Sequence, residues 1–315
     1  MKISLWRQGH LVNASIADLK VSLDAAWVSI VDPTVEDLES VAESLGLPRH
    51  ILVGKLRSNY PHADSYRQYT KIFAWDLWPS PAKGLAFNRN PAIVLTNGVS
   101  AITVTPSKSG LDDRIAQHLN DEDLNPLSVP TRVIYLGMLH LLEAHEALSE
   151  RLEGETETLE EAQPPWSRSF YAETFAMRRE GSRLLRLARH FRMLAEGLAK
   201  GNTRIPFTEE EARTLDTVYD RSVAVEETTE TSLETMRDLI SLHLDTLSHD
   251  MNRVMRLLAS ITAIVAIPTI ITSLLGSNLV DVPWPWQLWQ VGAFTTVIAL
   301  LLAAYFYRRG WLRGG

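Results

Sequence analysis

Two stretches near the C-terminus, residues 257–275 and 286–307, run for membrane length without one charged side chain. About 20 apolar residues coiled as a helix cover roughly 30 Å, the hydrocarbon thickness of a bilayer. Only Gly276, Ser277, Asn278 and a few further residues separate the two runs, so they predict a helical hairpin with a very short loop. Upstream, residues 207–267 contain no glycine and no proline, although the chain has 16 and 15 of them. Glu209, Glu210 and Glu211 supply the acidic first turn that helix starts favour. One helix over 207–275 is therefore expected, on the order of 100 Å long at 1.5 Å per residue. It would lead from a soluble region straight into the first span. Helices of that length usually bundle with partners.

On a helical wheel Glu234, Asp238, Ser241, Asp245, Ser248 and Asn252 share one face. The same face continues into the apolar run as Ala259, Thr262, Ala266, Thr269, Ser273 and Ser277. A second face carries Leu233, Met236, Ile240, Leu244, Leu247, Met251, Val254 and Leu258, which would pack against neighbours. Acids on such a helix can be a solvated face, and small hydroxyl residues inside a span can be helix-packing contacts. The third reading is a pore lining. The continuity of the stripe favours it, because several copies around an axis would present oxygen ligands with little bulk. Such a lining suits a hard cation that gives up its water reluctantly. Pro268 is tolerable within a span because neighbours can satisfy the carbonyl it frees.

Earlier in the chain the pattern is mixed. Residues 1–13 alternate like a strand. Residues 26–31, 70–75, 92–95 and 101–104 are rich in β-branched and aromatic side chains, and Asn97-Gly98 between the last two predicts a hairpin. Asp32-Pro33-Thr34 reads as a cap before a short helix ending near Gly46. Long helices are predicted over 131–162, stopped by Gln163-Pro164-Pro165, and over 169–200, stopped by Gly201-Asn202.

Charge sharpens the picture. The chain has 31 basic and 38 acidic residues, a formal net charge of −7. From residue 253 onward, however, stand five arginines (Arg253, Arg256, Arg308, Arg309 and Arg313) against one acid, Asp281. All five flank the apolar runs on the sides away from the loop, so the positive-inside bias puts both termini in the cytoplasm. Trp284, Trp286 and Trp289 cluster at the outer end and Tyr305, Tyr307 and Trp311 at the inner end, as an aromatic belt requires. The N-terminus has no apolar run of the signal-peptide kind, so the head is expected to stay cytoplasmic, and the protein in the plasma (inner) membrane. With no cysteine, disulfides and thiolate metal sites are excluded.

Other chemistry finds no foothold. His140 and His145 are five apart and His243 and His249 six apart, neither spacing giving a shared ligand face on a helix. There is no phosphate loop, no HExxH and no nucleophile–base–acid pattern, so no enzyme and no cofactor are expected. Arg178, Arg179, Arg183, Arg186, Arg189 and Arg192 form a basic ridge. In an acidic head, pairing with acids of the long helix or with anionic lipid headgroups is favoured over nucleic acid.

The segment NRVMRLLASITAIVAIPTIITSLLGSN, followed by LVDVPWPW, a second span and a basic tail, resembles the CorA family of divalent-cation channels. This is the two-transmembrane Gly-x-Asn superfamily, which includes zinc-transporting relatives. Ser277 stands where the family signature has methionine. AWVSIVDPTVEDLESVAESLGLP, PHADSYRQYTKIFAWDL and NPAIVLTNGVSAITVTP resemble the family's head. The resemblance implies an α+β fold: a cytoplasmic α/β head over 1–125, a helical hairpin over 126–206 and a stalk helix over 207–256. Transmembrane helices over 257–276 and 286–307 follow, joined by an external loop at 277–285, with a basic tail at 308–315. It further implies a homopentamer in the lipid bilayer whose first span lines the pore. Gly276, Ser277 and Asn278 would form the outer mouth, where Asn278 holds hydrated metal and Asp281 attracts cations. Thr269 would be the mid-pore threonine, Leu258 the constriction and Asn252 the inner asparagine. Thr262, Ala266 and Ser273 complete the expected lining, and Glu234, Asp238 and Asp245 the cytoplasmic funnel. The expected cargo is a divalent cation, Mg²⁺ foremost, with Zn²⁺, Co²⁺ and Ni²⁺ as alternatives. A non-conducting, membrane-anchored divalent-cation sensor or scaffold and a proton-coupled zinc transporter are the competing readings.

Overall fold

The computed structural model describes the chain apart from residues 8, 22–25, 53–59, 67–68, 81–84, 107–108, 162–167, 202, 277–286 and 313–315, and apart from the side chains of 17, 20, 21, 50, 168, 169, 275, 276 and 288. The first strand-like stretch is in fact a hairpin of β1 (Lys2–Arg7) and β2 (His10–Ala14), with Gly9 at φ 87° where the chain reverses. Glycine takes that left-handed conformation at little cost. After α1 (Ile16–Val21) comes β3 (Trp27–Val31), which lies antiparallel to β1. Helix α2 (Val35–Ser44) begins with a reciprocal cap, in which Asp37 N–H donates to Thr34 Oγ1 and Thr34 N–H to Asp37 Oδ2. That cap satisfies two of the amides a helix start leaves open.

The short α3 (Arg49–Leu52) precedes a meander of β4 (His62–Tyr66), β5 (Tyr69–Pro79), β6 (Phe87–Thr96) and β7 (Ala101–Thr105). At the Asn97-Gly98 hairpin, Asn97 Oδ1 accepts from the N–H groups of Val99 and Ser100. Strand β7 then pairs with β3 in parallel, giving one seven-stranded sheet in the order β2-β1-β3-β7-β6-β5-β4. Alternation along β5 sends Ile72 and Ala74 into one core and Phe73 and Trp75 into another, so both sheet faces are covered.

Helices α4 (Leu111–His118), α5 (Val129–Glu161) and α6 (Arg168–Ala199) contribute to the first core. Helix α7 runs unbroken from Glu209 to Gly276, 68 residues, and α8 spans Leu288–Arg308. The start of α7 is fixed by Glu211, whose carboxylate accepts from Thr208 N–H and from the N–H and hydroxyl of Ser128. Burial alone would raise its pKa. The N–H of Thr208, the hydroxyls of Ser128 and Thr131 and the N–H of Ser128 instead lower the carboxyl to about 2.

The chain divides into two compact units, Met1–Arg237 and Asp238–Gly315. In the first, α5, α6 and the beginning of α7 are tied together by named contacts. Ser149 and Thr229 share a hydrogen bond of 2.9 Å, and Arg221 grips Glu146 with two nitrogens at 2.9 and 2.7 Å. Gly181 of α6 sits so close to its neighbours that an added Cβ would meet Leu233 at 2.9 Å and Leu152 at 3.3 Å. The architecture is α+β, with a stalk helix and C-terminal membrane-length helices.

Candidate ion pathway

Among the described residues, two helices are long and apolar enough to cross a membrane: the C-terminal part of α7 and residues 289–308 of α8. Their apolar side chains face outward, with Val265 60%, Ile270 59% and Leu274 62% exposed on α7 and Leu300 64% and Leu301 65% on α8. Ser260 and Thr295 are buried, small hydroxyl residues of the sort that let helices approach closely.

The expected lining can be followed residue by residue. Asn252, Leu258, Thr262, Thr269 and Ser273 are exposed on α7 and Ala266 is half-buried. The threonine hydroxyls are oriented by the helix itself. Thr262 Oγ1 donates to Leu258 O at 2.8 Å, and Thr269 Oγ1 donates to Val265 O at 2.7 Å. Each hydroxyl proton is thus spent on the carbonyl one turn back, leaving the oxygen lone pairs as the outward-facing chemistry. Around Pro268, which lacks an amide hydrogen, Thr272 Oγ1 reaches both Pro268 O and Thr269 O at 3.0 Å.

The acids of the expected funnel are solvated. Asp238 and Asp245 are exposed on the second unit's part of α7, and Glu234 is exposed on the first unit's. Gly276 closes α7, whereas Ser277, Asn278 and Asp281 lie outside the described residues, as do Trp284 and Trp286. The apolar face predicted to pack against neighbours is covered at Leu233 and Met236, at 2% and 0% exposure, but open at Leu244, Leu247, Met251 and Val254.

His140 Nε2 is 3.6 Å from Asp76, and His145, fully buried, bonds through Nδ1 to Leu141 O. Burial pushes the His145 imidazole below its ordinary pKa, so it sits neutral. Glu153, Glu157, Glu160 and Glu227 line a groove of about 320 Å³ between α5 and α7. Among the described residues, no group of three or more acids and histidines is arranged to hold a metal ion. Within the basic ridge on α6, Arg189 and Arg192 pair with the long helix, Arg189 bonding Glu226 at 3.0 Å and Glu230 at 2.6 Å and Arg192 bonding Glu226 at 2.5 Å, whereas Arg179 and Arg183 pair with Glu180 of α6 itself.

A mixed seven-stranded sheet with packed helices, a long helix ending in an apolar stretch and a second apolar helix near the C-terminus together define an α+β domain followed by membrane-length helices. The chain belongs to the CorA-like Mg²⁺ transporter protein family, whose sequence profile matches residues 22–308. Members of that family carry divalent cations across membranes. A cobalt/magnesium transport protein CorA of Thermotoga maritima is 32% identical over 98 residues, 30% of this chain. The match spans only 28% of the length of that relative. Two solved structures share the fold over nearly the whole chain. The complete CorA magnesium transporter of Methanocaldococcus jannaschii has a TM-score of 0.74 at 17% identity, covering 98% of each chain. The full-length CmaX protein has a TM-score of 0.73 at 20% identity, covering 98% of this chain and 97% of its own.

Proposed function

We propose that this chain is one subunit of a homopentameric divalent-cation channel in the plasma (inner) membrane, with both termini cytoplasmic and Mg²⁺ as the principal cargo. The observation that carries the reading is the single element α7, whose exposed face is acidic at Asp238 and Asp245 and becomes hydroxyl-lined at Thr262, Thr269 and Ser273. A cation entering at Asn278 would pass Ser273, Thr269 and Leu258 to Asn252 and then meet the acids. Oxygens that accept without donating, in a narrow lining, can replace part of a hydration shell without trapping the ion. Asp281 would raise the cation concentration at the mouth. The open apolar face at Leu244, Leu247, Met251 and Val254 supports an oligomer, since five copies would bury it. No catalytic step is involved, and the metal is cargo rather than cofactor.

The test is divalent uptake into liposomes containing the purified full chain, with Mg²⁺, Zn²⁺, Co²⁺ and Ni²⁺ in competition at a fixed membrane potential. Asn278→Ala should lower Mg²⁺ uptake at least tenfold while the protein stays pentameric by mass. Unchanged uptake in Asn278→Ala would refute the role of the loop, and a wild-type protein that passes no divalent ion would refute the channel.

A further inference from the structure

A cavity of the first unit, walled by α5, α6 and the residues just before β6, is unused by the transport reading. It measures about 540 Å³, within the roughly 300–1,000 Å³ of small-molecule sites. Leu85 and Ala86, which precede β6, and Ala176 and Met177 of α6 supply its apolar wall. Leu85 and Met177 are buried at 2% and 7% exposure, so this part of the wall is fixed as well as aliphatic.

Charge makes up the rest of the wall. Glu180 is already compensated, by Arg183 at 2.6 Å and Arg179 at 3.6 Å. Arg151 and Glu155 of α5 and Glu173 of α6 are different. Among the described residues, none of these three side chains forms an ion pair or a hydrogen bond. Yet Arg151 and Glu155 stand one turn apart on α5, a spacing at which opposite charges commonly pair. Both are also half-buried, where a charge without a partner loses part of its hydration. A guest bringing a carboxylate to Arg151 and an ammonium to the two glutamates would compensate both signs at once, through charge-assisted hydrogen bonds. The frame beside these groups is tight. Gly181 follows Glu180 directly, and a Cβ on it would come within 3.3 Å of Leu152, the neighbour of Arg151. Close packing there keeps the ordering cost of binding low.

We propose that this cavity binds a small aliphatic zwitterion, its carboxylate at Arg151, its ammonium at Glu155 and Glu173, and its side chain on Leu85, Ala176 and Met177. A free aliphatic amino acid and a short peptide of such residues share that chemistry, and leucine and leucyl-leucine separate the two sources. The full chain in detergent is titrated calorimetrically with each. Isoamylamine and isocaproate, which are leucine without its carboxylate and without its ammonium, are titrated alongside. Divalent cations are withheld to keep the glutamates free, and no flux is read, so failure here would leave the channel reading standing. The better of the two zwitterions should bind saturably, at least tenfold tighter than isoamylamine or isocaproate. Arg151→Met should weaken it at least tenfold and leave isoamylamine unchanged. The double variant Glu155→Gln, Glu173→Gln should weaken it as much without weakening isocaproate. Arg178→Gln, outside the cavity wall, should bind like the wild type, with melting temperatures reporting that each variant is folded. Absence of saturable binding by both zwitterions overturns the proposal, as does a folded Arg151→Met of wild-type affinity. Isoamylamine or isocaproate binding as tightly as the zwitterion also overturns it, by reducing the cavity to a site for one charge.

Discussion

Leu233 and Met236 on α7 are 2% and 0% exposed, whereas Leu247, Met251 and Val254, on the same apolar face of the same helix, are 48%, 68% and 63% exposed. Nothing in the local sequence separates the two groups, since both repeat at helical spacing. What differs is the surroundings. The first group is buried inside the first unit, where Leu233 meets Gly181 of α6 beside Leu152 of α5. The second belongs to a unit whose apolar surface points outward, as it does in a protein that meets lipid or further copies of itself. Amphipathicity therefore says that a face will be covered but leaves open by what.

Truncation should show this most strongly. Met236→Ala should destabilise the head by about 2–5 kcal/mol through lost burial and a residual cavity. Leu247→Ala should leave the head's unfolding within about 0.5 kcal/mol, as an open surface position does. Instead it should loosen the oligomer. Denaturant melts followed by circular dichroism and mass measurements in detergent read the two effects, and equal destabilisation by both variants would erase the distinction. The helix crossing that covers Leu233 can be attacked from the other side. Gly181→Leu should cost about 1–3 kcal/mol by overpacking against Leu152 and Leu233.

The beginning of α7 gives a smaller effect with a pH signature. Glu211→Ala should cost about 1–2 kcal/mol at neutral pH by removing a cap. The Glu211 carboxyl titrates at about 2 when folded against an ordinary value of 4.5, so its stabilisation is complete above pH 4.5 and fades as pH falls toward 2. The gap between wild type and variant should close over that range in melts taken from pH 6 to 2. The mildest change is Glu226→Gln, which weakens the contacts to Arg189 and Arg192 on half-exposed surface. About 1 kcal/mol or less is expected, smaller still in high salt, because exposed ion pairs gain little.

Long elements were readable in advance because their signals are dense. The helix expected over 207–275 is observed from Glu209 to Gly276, and those over 131–162 and 169–200 from Val129 to Glu161 and from Arg168 to Ala199. The Asn97-Gly98 hairpin and the cap at Thr34 carry their geometry in two or three residues. Short elements with weak periodicity escaped, namely α1, α3 and α4. The first 13 residues also read as one strand, because alternation continues through the reversal at Gly9. For the expected pathway, the sequence displayed the stripe but not the direction of its hydroxyl protons, which depends on rotamers.

Those rotamers have one more consequence. A proton crosses a protein by hopping, each link receiving one hydrogen and handing on another. Thr262 and Thr269 have already handed theirs to their own backbone. Were this face to line a conduit, the threonines themselves could not relay protons along it, and any proton current would have to travel through its water.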